Sequence, residues 1–297
     1  MSSFPDHPLL SGAEATSVVV PFGGNPDLLR VQLLALLDQD YPGQVEVVIA
    51  CNSKMMDLAG LDLPELPPRT ALTVLDATSV KGPSHARNIG WRHCSTNTVL
   101  FCDADDRVDP HWVGAMVGGL QASPLVGGRL CYEALNDAQD VAWNRQSTVA
   151  LPRKFRHLQF VASSNFGARR HVLEQMGGFD ERLTCGEDID FCWRAQYHGF
   201  TVAFVPEARV EYRLRADVKS IWKQSVAYGT SDALLLRRHA RFGARRPLAD
   251  TVAEAAAIVL ALLRTPLQPS LVRKVAVRAG MFVGRVRGSV QYRKWAI

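Results

Sequence analysis

Hydrophobic positions along the chain follow two periodicities. Thr16–Val20 is an unbroken β-branched run that stops at Pro21, the pattern of a strand buried on both faces. Pro26–Leu37 places leucines at helical spacing. After a break at Pro42 and Gly43, Val45–Ala50 predicts a second buried strand. Leu58–Arg69 is rich in proline and leucine and reads as a loop. Leu72–Leu75 predicts a third strand, Ser84–His93 a helix with Ser84 as N-cap, and Thr98–Cys102 a fourth strand. Asp109 and Pro110 open a further helix, with Asp at the N-cap and Pro in the first turn.

The second half is less regular. Val126–Tyr132 and Phe160–Ala168 predict strands, Gly177–Asp180 a turn, Glu187–His198 a helix and Thr201–Val205 a short strand. Asp217–His239 predicts a long helix with apolar and basic faces, and helices follow near Leu248–Leu263 and Leu271–Val286. Strands alternating with helices imply an α/β fold with a mostly parallel sheet flanked by helices. Ligands of such sheets collect at the carboxyl ends of the strands. Asn52 lies at such an end after the second strand, and Asp103–Asp106 after the fourth.

Composition adds bounds. With 297 residues, 47% hydrophobic and 21% charged, the chain has ordinary globular composition and length for a sizeable core. The pattern divides it into a tail (1–15), an α/β domain (16–242) and a helical basic extension (243–297). Net charge is +5 and unevenly placed: Arg264–Ile297 carries Arg264, Arg273, Lys274, Arg278, Arg285, Arg287, Arg293 and Lys294 and no acidic residue. Within it, Ser270–Lys294 mixes Val, Leu, Phe and Met with these cations. That mixture fits an amphipathic helix at an anionic membrane surface, or a solvated helix packed on the domain. No helix-turn-helix, zinc or RNP signature accompanies the charge, which argues against nucleic acid as a partner. Six scattered cysteines form no C-x-x-C pair, so reduced thiols are expected. The first residues lack a basic n-region, and the longest apolar run, Ala255–Leu263, is too short to span a bilayer. The expected location is cytoplasmic, with peripheral contact at the inner face of the cell membrane.

Three segments carry candidate chemistry. In Phe101–Asp106 (FCDADD) a buried strand delivers Asp103, Asp105 and Asp106 onto one loop. Like charges this close repel unless a hard cation neutralises them, and oxygen ligands suit such a cation; the ordinary alternative is a solvated turn. In Cys185–Gly199, Glu187 and Asp188 open a helix. There they complement the dipole, and facing a cleft a carboxylate could act as general base. Asp190 falls on another side of the helix and reads as structural. Gly82–Gly90 (GPSHARNIG) places Arg87 on the first turns of a helix, a natural phosphate site or a solvent-facing arginine. His85, His157, His171 and His198 share no ligand spacing. Trp143, Trp193 and Trp222 could stack a sugar or simply pack.

Taken in order, SVVVPFGGN, LLALLDQDYP, GPSHARNIG, VLFCDADD, SNFGARR, GGFDERL and GEDIDFCWRAQYHG resemble the family 2 glycosyltransferases of GT-A fold over roughly Thr16–Phe242. The resemblance implies an inverting, single-displacement transfer of sugar from a nucleotide-diphosphate donor, a UDP-sugar as first guess, to an acceptor hydroxyl. That acceptor is part of a polysaccharide, a natural product or a lipid-linked glycan. It implies that Asp103 contacts the donor, that Asp105 holds Mn2+ or Mg2+, and that Asp188 is the base. Pro21, Asn52 and Arg87, with Asn88, would lie at the donor; Gly178, Phe179 and Glu187 at the acceptor, with Trp193 in the same helix. Three departures are visible. Asn52 stands where many relatives carry Asp, Tyr212 where many carry a His ligand, and the Q-x-x-R-W element of processive synthases is absent. Two other classes remain: a catalytically silent nucleotide-sugar binder, and a nucleotidyltransferase. The latter would need a basic glycine-rich N-terminal loop, which Phe22–Asn25 is not.

Overall fold

The computed structural model describes residues 13–53, 58–138, 141, 149–265 and 271–296. Trp143 and most of the N-terminal tail lie outside these residues. The strands are β1 (Thr16–Phe22), β2 (Val45–Cys51), β3 (Thr70–Asp76), β4 (Thr98–Cys102), β5 (Arg107–Val108), β6 (Leu125–Cys131), β7 (Asn165–Arg169) and β8 (Val202–Glu211). The helices are α1 (Pro26–Leu37), α2 (Pro83–His93), α3 (Trp112–Ala122), α4 (Arg170–Met176), α5 (Glu187–Tyr197), α6 (Val218–His239), α7 (Leu248–Arg264) and α8 (Val272–Gln291). The strands form one sheet in the order β3-β2-β1-β4-β7-β6-β8-β5. β3, β2, β1 and β4 are parallel, β7 runs antiparallel to β4 and β6, and β6 pairs parallel with β8.

Strand alternation builds the core on both faces. Val18, Val20 and Phe22 of β1, with Leu100 and Cys102 of β4, pack against Leu29, Leu33 and Leu36 of α1 and Trp112 and Met116 of α3. Val19, Val99 and Phe101 point the other way, toward Trp91 of α2, Leu173 of α4 and Phe191 of α5. β2 and β3 lie on one side of β1, and the chain then crosses back to place β4 on the other, so a crevice opens at the carboxyl ends of β1 and β4.

Pro21 helps to open it. β1 stays paired with β2 through Phe22↔Cys51, but its pairing with β4 ends at Val19↔Phe101. The Phe22 carbonyl accepts from Asn52 N at 2.6 Å on the β2 side, so Pro21 faces the side from which β4 has diverged. A residue without an N–H costs nothing there.

Some boundaries differ from the sequence reading. α2 starts at Pro83 with Gly82 at the cap (φ 138°), so Ser84 lies inside the helix. α3 starts at Trp112; Asp109 instead turns the chain before it, its Oδ1 accepting from His111 N at 3.0 Å. β7 begins only at Asn165, so Phe160–Ser164 approaches the sheet as an irregular segment. The short helix α4 and the two-residue β5 have no hydrophobic period long enough to read. None of the six cysteines is in a disulfide. Among the described residues no helix is long and apolar enough to cross a membrane.

The C-terminal extension packs against α6 rather than standing free. Gly280, Gly284 and Gly288 recur every four residues on one face of α8. A Cβ on Gly284 would sit 2.2 Å from the Val226 carbonyl oxygen, and one on Gly288 2.4 Å from that of Thr230. The helix backbones meet there at a distance that only glycine permits.

Candidate active site

A cavity of about 950 Å³ occupies the crevice. Pro21, Gly23, Gly24 and Asn52 border it at the ends of β1 and β2, and Asp103 and Asp105 at the end of β4. Glu187 and Asp188 enter from the start of α5, and Gln224, Tyr228 and Asp232 from α6.

The aspartate loop is held from behind. Gln32, wholly buried on α1, donates to the Asp103 carbonyl at 3.0 Å and accepts from Val108 N at 2.9 Å. Asp103, Asp105 and Asp106 each place a carboxylate oxygen within 4.8 Å of the others. Asp106 is 1% exposed; its Oδ1 accepts from Arg213 N at 2.8 Å, while its Oδ2 is buried with no hydrogen-bond partner. Burial, then the charges of Asp103 and Asp105, push the Asp106 carboxyl well above its usual range. Burial and Asp103 also raise Asp105, against the relief offered by Arg215, whose Nη1 lies 3.6 Å from Asp105 Oδ2. Three crowded carboxylates with an orphaned buried oxygen form an oxygen donor set that fits a divalent cation.

Arg87 is 3% exposed and does not project freely into the cavity. Its Nη2 donates to Asp103 Oδ1 at 2.7 Å and its Nη1 to Glu187 Oε1 at 2.8 Å. Burial works against its charge, but the two carboxylates outweigh burial and hold its pKa up. Arg87 thus ties the β4 loop to the start of α5, and fixes Asp103 and Glu187 on opposite sides of one guanidinium.

Glu187 is buried, and burial followed by the charge of Asp188 pushes its carboxyl up to about 7. Asp188 is only partly buried; its Oδ1 accepts from Ile189 N at 2.8 Å and its Oδ2 from Ser163 N at 3.2 Å. Burial raises its pKa, and the two backbone N–H groups work against that rise. An acid whose folded pKa lies above its unfolded value stabilises the fold only where it stays protonated. That contribution is complete below the unfolded pKa of 4.5 and is lost as pH rises through about 7. Thermal unfolding with EDTA present should therefore show the melting temperature of Glu187→Gln gaining on that of the parent between pH 5 and pH 8. A constant difference across that range would contradict this environment for Glu187.

The other expected site residues are placed as follows. Asn52 borders the cavity, yet its side chain clasps the loop after β3: it donates to the carbonyls of Ala77 (2.8 Å) and Val80 (2.9 Å) and accepts from Gly82 N (2.5 Å). Tyr212 lines the cavity and its phenol is pushed far up by burial, then by Tyr228 and the nearby aspartates, so it stays neutral. Gly178, Phe179 and Trp193, expected at the acceptor, are buried and are not among the residues that line this cavity. Gly178 has φ 78°, and a Cβ there would lie 2.4 Å from Asn88 Oδ1. Asn88 turns away from the cavity and clamps Phe179, accepting from its N–H at 2.9 Å and donating to its carbonyl at 2.8 Å. That clamp seats the Phe179 ring among Phe101, Phe166 and Phe191. Trp193 is fully buried, donates to the Leu158 carbonyl at 3.0 Å and meets His157 and His239 edge-on. Asp190 binds Arg194 (2.7 Å) and His239 (3.1 Å), the structural role read from helix geometry.

Sequence reasoning missed Arg129, Lys154, Arg215 and Tyr228, which all line the cavity. Lys154 Nζ lies 2.5 Å from Asp232 Oδ1, and Asp232 is 1% exposed. The signal for Arg213 and Arg215 was present, as alternate arginines just beyond a strand that ends beside the aspartates.

Residues 13–241 match the family described as Glycosyltransferase like family 2, and the chain belongs to that family. It is 30% identical over 236 residues to the pre-mycofactocin glycosyltransferase of Mycobacterium tuberculosis, covering 75% of this chain and 48% of that protein. To the probable glycosyltransferase YdaM of Bacillus subtilis it is 23% identical over 226 residues, covering 69% and 52%. The chain thus spans about half the length of these relatives. Its fold is that of the mannosyltransferase PcManGT from Pyrobaculum calidifontis, solved in complex with GDP-Man and Mn2+. That match has a TM-score of 0.63 and 20% identity, and covers 97% of this chain and 90% of that one. GalNAc-T7, solved with UDP, GalNAc and Mn2+, matches with a TM-score of 0.52 and 14% identity over 74% of this chain and 51% of that one. The architecture is the GT-A fold.

Proposed function

We propose that the chain is a glycosyltransferase that takes a nucleotide-diphosphate sugar and transfers the sugar, with inversion, to an acceptor hydroxyl. The observation that carries this reading is the pairing, across one cavity, of the Asp103–Asp105–Asp106 cluster with the carboxylate of Asp188. Asp103 and Asp105, with the orphaned oxygen of Asp106, would hold Mn2+ or Mg2+. When bound, that cation would supply Lewis-acid neutralisation of the diphosphate.

The protein's own groups do the rest. Pro21 and Asn52 border the end of the cavity next to β1 and β2, where the nucleoside fits. A UDP-sugar is the first candidate donor; among proteins of this fold, GalNAc-T7 was solved with UDP and PcManGT with GDP-Man. Arg87 holds Asp103 and Glu187 in place, and Arg215 beside Asp105 offers a cation to the departing diphosphate. Asp188 accepts the proton of the acceptor hydroxyl as its oxygen attacks the anomeric carbon. Two backbone N–H groups fix the Asp188 carboxylate without consuming all of its lone pairs. Glu187 orients the acceptor. The basic extension favours an acceptor presented at an anionic membrane surface.

The test is a panel of UDP-, GDP-, dTDP- and CDP-sugars with hydroxyl acceptors, reading released nucleoside diphosphate and the anomeric configuration of the product by NMR. Release with inverted configuration is expected. Retained configuration would remove Asp188 from the role of base. Nucleotide binding without any turnover would make the chain a silent binder.

A further inference from the structure

Helix α7 is amphipathic in the wrong sense for a water-exposed helix. Its acidic groups face the protein. Asp250 takes Arg156 at 2.7 Å, and Glu254 pairs with Arg246 at 2.7 Å and with buried Arg285 of α8. Thr251 is buried against the same side. Leu248, Val252, Val259 and Leu263 are 65%, 61%, 56% and 71% exposed. At helical spacing these four positions fall within about 60° of arc, so they form one apolar stripe pointing into solvent. A surface helix of a globular protein reverses this arrangement.

We infer that the Leu248–Leu263 stripe of α7 inserts into the interface of an anionic phospholipid membrane. The charge around it selects that partner. Arg264 closes α7, and Arg278, Arg287 and Arg293 are exposed on and beyond α8. No acidic residue occurs from Arg264 to the end of the chain. An anionic bilayer offers both apolar depth and negative headgroups, and these two helices carry the apolar stripe and the exposed cations that such a surface would take up. A second copy of the chain would bring the same cations against each other. α8 turns its glycine face to α6 and leaves Val283 and Val286 only 37% exposed each, whereas the four stripe residues of α7 are all more than half exposed, so α7 is the inserting surface. Because α6 lines the cavity with Gln224 and Tyr228 and packs on α8, insertion of α7 would hold the cleft beside the lipid surface. This surface deepens the membrane contact of the extension proposed above and does not depend on sugar transfer.

The test is sedimentation with vesicles of phosphatidylglycerol and phosphatidylcholine, against vesicles of phosphatidylcholine alone. It compares the parent chain with the double variant Val259→Ser, Leu263→Ser. The variant keeps the net charge, so it removes insertion and leaves electrostatic attraction intact. The parent should bind the anionic vesicles, and the variant should bind them at least about tenfold more weakly. Both should melt at nearly the same temperature, since both side chains are more than half exposed. Equal binding by parent and variant would overturn the role of α7 while leaving the basic residues as a membrane contact. No binding of the parent to anionic vesicles would overturn both. A dimer, seen by light scattering, that the variant dissociates would assign the stripe to a second copy and also overturn the proposal.

Discussion

Asp188→Asn should lower sugar transfer by about 10²–10⁴-fold while leaving nucleotide binding unchanged, because a general base contributes on that scale. Asn preserves the shape of the side chain and still accepts from Ser163 N or Ile189 N through its carbonyl oxygen. It cannot take a proton. Burial lifts the Asp188 pKa, so the ionised carboxylate holds an abstracted proton more firmly than an exposed aspartate would. Steady-state kinetics with the active donor, beside calorimetric titration of the nucleotide, separates the two effects. A variant that keeps near-parental turnover would place the base elsewhere, with Glu187 the next carboxylate to examine.

Arg87→Met should cost about 3–5 kcal/mol of stability, the usual penalty for removing one partner from a buried ionic network. Methionine matches the stem in size but leaves Glu187, 5% exposed, without its cation and Asp103 without its brace. At about 2–4 °C per kcal/mol for a chain of this size, the melting temperature should fall by roughly 10 °C. Arg87→Lys should recover only part of the loss, since an ammonium cannot bridge two carboxylates as a planar fork does. A loss of less than about 1 kcal/mol in Arg87→Met would mean that the network is not formed as described.

Much of the fold was legible because its parallel strands are buried on both faces. Continuous runs such as Val18–Val20 and Val47–Ile49 leave little choice but a central strand. The aspartate loop was legible for the same reason, since the strand that precedes it is unmistakable. Side-chain direction was not. Asn88 follows Arg87, which lines the cavity, yet it turns into the core, and Phe179 reaches the same core where Gly177 and Gly178, both with positive φ, reverse the chain after α4. Trp193 follows Asp188 by five residues on α5, which carries it around the helix into an aromatic cluster. Arg87 was expected to meet phosphate, and only three-dimensional structure reveals that its two Nη atoms are already bound to carboxylates. Residues from α6 reach the cavity because α8 presses against that helix through Gly280, Gly284 and Gly288, a long-range contact that no local pattern encodes.

The central claim is that the cavity binds a nucleoside diphosphate through a cation held by the aspartate cluster. Its most direct test is the thermal shift of the chain with UDP, GDP, dTDP and CDP, each with Mn2+ or with EDTA, since a ligand of the folded state raises the melting temperature by mass action. One nucleotide should stabilise the chain with Mn2+, the shift should vanish with EDTA, and Asp105→Ala should abolish it without lowering the melting temperature of the unliganded chain. Absence of stabilisation by all four nucleotides at millimolar concentration, or a shift that persists in EDTA and in Asp105→Ala, would contradict it.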